Sequence, residues 1–330
     1  MANKFLRDVK SALWQHQRED SSNTFSNRES TILQVAHSIE KNFPRPPKLR
    51  NLKYTHIRVA IDDLQKTVSP STLPNKLSDI RWFLKLQEVR RGFIMPSNKK
   101  IGLDRRIRTT HTDKSIHEPG KYFIRLSGLP LQSKYDKMIG SRDRQLMILH
   151  LQMRFGLRLE EACKFHPGRD VHEKTIDVIS GTKNNRPRKG IPIRTADQRD
   201  LLDRLKSFRT GTGSLIPVGM KADAFINKMH HDLDKIGFSR QGEAGCSTHA
   251  LRHLYAHDRF ESVTGFRPMV EFPDKESYRN TAIENIISRE GIEAGTEERL
   301  KELEREGYET VNKELGHSED RWDITGIYLR

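Results

Sequence analysis

The stretch Ser247-Thr248-His249-Ala250-Leu251-Arg252-His253 carries the pair of residues best suited to chemistry in this chain. It reads as the start of a helix with Ser247 or Thr248 as the cap, which sets His249 and Arg252 three apart on one face. So placed, the arginine can hold a phosphate by a forked hydrogen bond while the imidazole supplies or takes a proton. Other stretches share this character. Gly156 breaks an apolar helical run and turns the chain so that Arg158 points outward, with Glu161 three residues on to brace it. Lys183 stands at the near end of a basic turn, Gly181 to Lys189, where its amine can meet a phosphate oxygen. Tyr328 follows Leu315-Gly316-His317-Ser318 on a short, weakly anchored terminal segment, free to move as a nucleophile delivered to DNA has to. A second His-x-x-Arg, His166 to Arg169, lies in a Pro-Gly turn and is assigned no role.

A metal is not expected. His249, His253 and His257 recur at helical spacing, but no nearby Cys or well-spaced carboxylate completes a ligand set. Cys163 and Cys246 show no metal-type pairing, so a reducing, cytoplasmic setting is the default, with no cofactor required.

The elements that must position these residues fall into a mainly α fold with a small β-hairpin, an α+β class in two domains. Residues 1–28 read as one short amphipathic helix, Phe5 to Trp14, followed by a Ser/Asn-rich tether at Ser21 to Thr24. Residues 29–95 form a helical domain. Ile32, Val35, Ala36 and Ile39 share one face before Pro44, a second helix is predicted near 55–67, and a third from about 72 to 91 has Leu77, Ile80 and Phe83 on its core side. Residues 96–121 lack apolar periodicity and lie between Pro96 and Pro119. They form an extended basic linker whose Lys99, Lys100, Arg105, Arg106 and Arg108 can neutralise phosphates across a duplex backbone.

The second domain, 122–330, opens with a strongly apolar helix from Asp143 to Phe155. The pattern then changes to period two: Val171–Ser180 and Gly190–Arg194 are predicted strands, joined by a hairpin whose basic tip offers Arg186 and Arg188 to the DNA backbone. Helices near 196–208 and 221–236 lead back to His249. A charged, Glu-rich insertion at about 265–310 reads as an elaboration of the surface, outside the active site.

The charge balance agrees with a nucleic-acid partner. With 59 Lys and Arg against 44 Asp and Glu in 330 residues, the net charge is +15, and the pI is near 9.8. There is no signal peptide and no apolar run long enough to cross a membrane, so a nucleoid-associated protein is the expectation.

In order along the chain, Gly156-Leu157-Arg158-Leu159-Glu160-Glu161, Lys183 in its hairpin, His249-x-x-Arg252-His253 with Ala256, Leu315-Gly316-His317-Ser318 and Tyr328 resemble the tyrosine recombinase (phage integrase) family. The likeness spans about residues 122–330, and the preceding helical domain looks like that family's core-binding domain. It implies that Tyr328 attacks a scissile phosphate to leave a 3′-phosphotyrosine and a free 5′-hydroxyl. It further implies Arg158 and Arg252 on the non-bridging oxygens, Lys183 as general acid for the departing 5′-oxygen, His249 as proton-transfer partner of the tyrosine, and His317 hydrogen-bonded to the phosphate. Glu161 would stand behind the site, outside direct contact with the phosphate, and His253 would be structural. The partners implied are double-stranded attachment sites of a mobile element or prophage, held by a homotetramer.

This sequence departs from the family pattern in three places. The interval from Arg252 to Leu315 is long, the spacing from His317 to Tyr328 is also longer than usual, and Leu329 and Arg330 alone follow the tyrosine. The last leaves open how subunits would be linked. Two other readings share the residues: a type IB topoisomerase-like enzyme, and a catalytically inactive DNA-binding protein on the same fold.

Overall fold

Apolar side chains at helical spacing build most of this chain, and the computed structural model shows what each stripe is buried against. It describes residues 4–17, 22–87, 95–102, 112–131, 141–208, 213–291, 294–317 and 322–330. The chain folds as two units, 1–107 and 108–330.

The first unit is a helical cluster of α1 (Lys4–Gln15), α2 (Ser22–Asn42), α3 (Tyr54–Thr67) and α4 (Leu73–Leu86). Ile32, Val35, Ala36 and Ile39 of α2 meet Ile57 and Ile61 of α3 and Leu77 and Ile80 of α4 in one core. Polar side chains tie the same helices: Ser38 donates to Asp63 (2.6 Å) and Thr31 to Asp79 (2.9 Å). The expected amphipathic helix exists, and Ser21 of its expected tether lies outside the described residues. Phe5, Val9 and Leu13 of α1 are buried in this core, and the Ser/Asn-rich stretch from Ser22 onward is the first turn of α2 rather than a tether. The apolar face of α1 has a partner, which overrides the weak helix propensity of Ser and Asn beside it. Of the expected linker, Met95 is buried in this core and Lys99–Ile101 form a single 3₁₀ turn with both lysines exposed. Arg105, Arg106 and Arg108 lie outside the described residues.

The second unit contains α5 (Pro119–Ser127), α6 (Ser141–Phe155), α7 (Leu159–Cys163), α8 (Pro167–Asp170), the strands β1 (Thr175–Val178) and β2 (Arg188–Pro192), then α9 (Ala196–Leu205), α10 (Ala222–Lys235), α11 (His249–Thr264), α12 (Lys275–Glu290), α13 (Thr296–Leu315) and α14 (Trp322–Leu329). The fold class is mainly α with one small antiparallel sheet, in which Ile176 pairs with Ile191. Local signals start and stop the helices. Thr195 accepts from the Gln198 amide at the head of α9 (3.1 Å), Asp274 accepts from the Ser277 amide at the head of α12 (2.7 Å), and Gly265, Gly291 and Gly316 end α11, α12 and α13 in the left-handed region.

Two cores result. One packs α6 against α7, the strands, α9 and α10, with Leu149, Leu151, Phe155 and Leu157 fully buried and the polar Gln145 and Gln152 of α6 buried beside them. The other joins α11, α12, α13 and α14 through Tyr255, Phe260, Tyr278, Ile286, Leu303, Val311 and Leu315. The charged insertion is therefore not a surface elaboration. Its α12 and α13 supply half of this second core, and Tyr328 and Leu329 are buried in it. The Glu-rich composition belongs to the outer faces of the two helices; the sparse apolar residues between those charges form the buried stripe.

Candidate active site

Arg252 sits at the centre, on the first turn of α11, with no exposed surface. A buried guanidinium has to be answered in every direction, because an unpaired buried charge costs several kcal/mol. Here Nη1 donates to the Gly156 carbonyl, Nη2 to the Leu315 carbonyl (2.6 Å) and Nε to the Tyr328 hydroxyl (3.3 Å). Those two carbonyls lie at the C-terminal ends of α6 and α13, where a helix leaves its own acceptors unpaired. One arginine thus ties α11 to two helix ends and aims what remains of its fork at the tyrosine.

Gly156 makes that junction possible. Its φ is +64°, and a Cβ there would lie 2.5 Å from the Tyr255 ring and 2.9 Å from Leu315 Cδ2. The turn delivers Arg158 to the head of α7, where Glu161 accepts from both the Arg158 amide (2.7 Å) and its Nη1 (2.7 Å). The arginine stays about a third exposed, whereas the carboxylate is fully buried. Glu161 also receives Arg188 Nη2 at 2.5 Å and lies 4.0 Å from Arg252 Nη1. Burial alone would raise its carboxyl, but the guanidiniums of Arg188, Arg252 and Arg158 hold it below the usual carboxylate range.

Arg188 is the clearest correction to the sequence reading. It was expected at the hairpin tip against DNA, and it is 5% exposed, pointing inward from β2. Besides Glu161 it donates Nη1 to the Glu314 carbonyl (2.8 Å), and burial together with Arg252 pushes its pKa down to about 10. A bulge in β2 explains the difference: the two residue steps from Ile176 to Val178 oppose three from Ile191 to Arg188, with Gly190 at φ +70°, so Arg188 and Ile191 both face the core while Lys189 and Gly190 are exposed. Arg186 remains exposed on the turn.

Lys183 opens a 3₁₀ turn, Lys183–Asn185, and is exposed with no ion pair among the described residues. The turn is fixed against α7 by Gly181, whose φ is +74° and whose Cβ would lie 2.8 Å from the Glu160 carbonyl. Packing at this glycine brings the base of the hairpin to the helix headed by Arg158.

Tyr328 lies on α14 and is 5% exposed. The sequence reading of a weakly anchored tyrosine is corrected here too: the segment is a helix buried against α11 and α13. Its hydroxyl is 3.1 Å from His249 Nε2, and its ring packs against those of His253 (4.3 Å between centroids), His317 (5.7 Å) and His249 (5.9 Å). His249 keeps one side exposed to solvent. Crowding by the protein on the other side, then Arg252 and Arg158, bring its imidazole down to about 4, so it is neutral at pH 7. Burial, with His249 and His257, takes His253 to about 2. His317 Nδ1 is 3.3 Å from Thr325 Oγ1, and Thr325 donates its own proton to Asn312 (2.7 Å), so the threonine oxygen is the acceptor for His317.

The structure therefore brings Arg158, Glu161, His249, Arg252, His253, His317 and Tyr328 together and turns Arg188 inward. Lys99 and Lys100 belong to the other unit. Sequence reasoning overlooked the support of this site. His257 was noticed for its helical spacing alone. Glu314, whose carboxylate accepts from Tyr255 (2.6 Å), Arg259 (3.2 Å) and Arg194 and whose carbonyl accepts from Arg188 (2.8 Å), sits immediately before the Leu-Gly-His motif with no local sign of these four partners. No group of three or more His, Cys, Asp or Glu among the described residues is placed to hold a metal, and no described helix is long and apolar enough to cross a membrane.

No protein-family model and no curated protein sequence matches this chain. Solved structures do. A lambda integrase dimer bound to a COC′ core site matches with a TM-score of 0.54 at 13% identity, over 98% of this chain and 77% of that one. The XerH site-specific recombinase on a palindromic difH substrate, a post-cleavage complex, matches with a TM-score of 0.53 at 12% identity, over 84% and 83%. At these identities the likeness is one of fold: this chain has the α+β fold of those two recombinases.

Proposed function

We propose that this protein is a tyrosine site-specific DNA recombinase that cuts and rejoins duplex attachment sites through a 3′-phosphotyrosine. The observation that carries the reading is the Tyr328 hydroxyl, held between His249 Nε2 at 3.1 Å and Arg252 Nε at 3.3 Å on a fold shared with two recombinases.

A phenol, with an ordinary pKa near 10, is a weak nucleophile at neutral pH and a competent leaving group for religation. His249, neutral at pH 7, takes the phenolic proton as the Tyr328 oxygen bonds to phosphorus. The bond to the 5′-oxygen breaks, and Lys183 supplies the proton that makes it a hydroxyl. Charge gathering on the non-bridging oxygens is met by Arg158 and Arg252, one braced by Glu161 and the other fixed by two backbone carbonyls, so little reorganisation is needed at the moment of reaction. His317 adds a hydrogen bond to the same phosphate. Return of the 5′-hydroxyl, from the same or a partner duplex, reverses each step. The reading needs no metal and no nucleotide, since the phosphodiester energy is stored in the phosphotyrosine.

The net charge of +15 supports a duplex partner, and the exposed Lys99, Lys100 and Arg186 are proposed backbone contacts. The proposed assembly is a homotetramer on two sites, serving integration or excision of a mobile element. Incubation of two labelled duplexes carrying the attachment site tests this: exchanged flanks support a recombinase. Relaxation of any supercoiled DNA without exchange would indicate the topoisomerase-like alternative.

A further inference from the structure

His257 has no part in the chemistry above, yet it is completely buried two turns along α11 from His249 and touches the segment that carries the tyrosine. Its Nε2 lies 2.8 Å from the main-chain oxygen of Tyr328, and its Nδ1 lies 2.6 Å from Glu271 Oε1. A carbonyl oxygen accepts and cannot donate, so Nε2 carries a proton and is the donor. That fixes the sense of the other contact as well: Nδ1 and the Glu271 carboxyl share one proton between them. Glu271 is held in turn by Arg267 at 3.4 Å. The Asp113 carboxylate stands 3.8 Å from Nδ1.

The carbonyl that His257 captures belongs to the last turn of α14. A helix this short is marginal by itself, so its ends depend on tertiary contacts. Pinning the main chain at Tyr328 leaves the side chain only its χ angles, and with those it reaches both His249 and Arg252. We propose that His257, braced by Glu271, is a positioning residue for the nucleophile, holding Tyr328 by its own carbonyl so that the phenol meets the proton acceptor and the arginine. The proposal rests on the reading of Tyr328 as nucleophile for its catalytic consequence, but the anchor itself is a property of the free protein.

His257→Leu fills the space and removes the donor. His257→Gln restores an N–H near the position of Nε2 while giving up Glu271. Glu271→Gln, at a residue on the edge of the core, leaves the histidine in place with a weaker brace and serves if the leucine variant folds poorly. Without DNA, Tyr328 in the native chain should nitrate slowly with tetranitromethane, as read by peptide mass. Nitration and amide exchange of residues 325–330 should rise at least several-fold in His257→Leu, rise less in Glu271→Gln and return near native in His257→Gln. With a nicked attachment site, adduct formation should slow about 10- to 100-fold in His257→Leu at unchanged DNA affinity, as misplacement of a reacting group by about 1 Å predicts. It should be largely restored by glutamine. The inference is overturned if Tyr328 in His257→Leu is no more reactive than in the native chain, or if glutamine and leucine variants lose activity equally and in step with a lower melting temperature. Should the native chain form no adduct on any site, the recombinase reading fails, while the nitration series still decides the anchor.

Discussion

Arg188 Nη2 lies 2.5 Å from Glu161 Oε2 in the interior of the second unit, not at the DNA-facing tip of the hairpin. Through that carboxylate it shares a partner with Arg158 and is linked to Arg252, so the three cations and one anion form a buried array whose exposed outlet is Arg158. Removing Arg188 takes one donor from the buried Glu161 carboxylate, leaves the Glu314 carbonyl without its partner and empties the space beside Gly316. Arg188→Ala should therefore cost about 3–5 kcal/mol of folding stability, measured by urea denaturation. In a folded, ligand-stabilised sample it should leave the salt dependence of DNA binding unchanged. Arg186→Ala, at an exposed position two residues earlier, should do the opposite: stability within about 0.5 kcal/mol of native, and a shallower plot of log affinity against log salt, by about one unit of slope.

Gly316 carries a second constraint on the same residue. Its φ is +69°, and a Cβ there would lie 2.2 Å from Arg188 Cδ. Gly316→Ala combines left-handed strain of about 1–2 kcal/mol with displacement of a buried arginine. The expected result is a lower unfolding midpoint together with a loss of DNA cleavage, because Leu315, whose carbonyl holds Arg252, and His317 flank the substituted position. A variant with native stability and activity would show that the α13 end tolerates a side chain.

Buried neutral histidines give the protein a pH dependence of defined sign. Burial first, then neighbouring cationic groups, lowers His150 to about 4, and burial with His249 and His257 lowers His253 to about 2, against an ordinary value of 6.5. As pH falls below 6.5 the unfolded chain takes up these protons before the folded one does. The stability they confer is whole above pH 6.5 and is lost progressively below it, at up to about 1.4 kcal/mol per pH unit for each histidine. Urea titrations between pH 7.5 and 5 should show this decline, and His253→Gln should make it shallower. Equal slopes for the two proteins would mean that His253 does not stay neutral in the fold.

Much of this was legible in the sequence, and the gaps have physical causes. Helical periodicity marked α2, α3, α4 and α6, and the change to period two marked the hairpin, because one-sided burial leaves a regular trace. The residues at His249, Arg252, Arg158 and Tyr328 stood out by type and spacing. Arg188 was misread because nothing local tells an inward-facing arginine of a strand from an outward-facing one. The burial of α12 and α13 was missed because their abundant charges hide a narrow apolar stripe. The support of the tyrosine by His257 and Glu271, and of the α13 end by Glu314, depends on long-range contacts that no spacing encodes.

The central claim is that Tyr328 is the nucleophile. The most direct measurement uses nicked suicide duplexes from candidate attachment sites, resolved on a denaturing gel, with native protein and Tyr328→Phe side by side. The account predicts a slow-migrating covalent protein–DNA adduct with the native chain and none with the phenylalanine variant, at equal DNA affinity. Adduct persisting in Tyr328→Phe would contradict it and turn attention to Tyr308. That residue lies buried on α13, its hydroxyl accepting from Arg330 Nε at 3.2 Å and its pKa raised by burial to about 12.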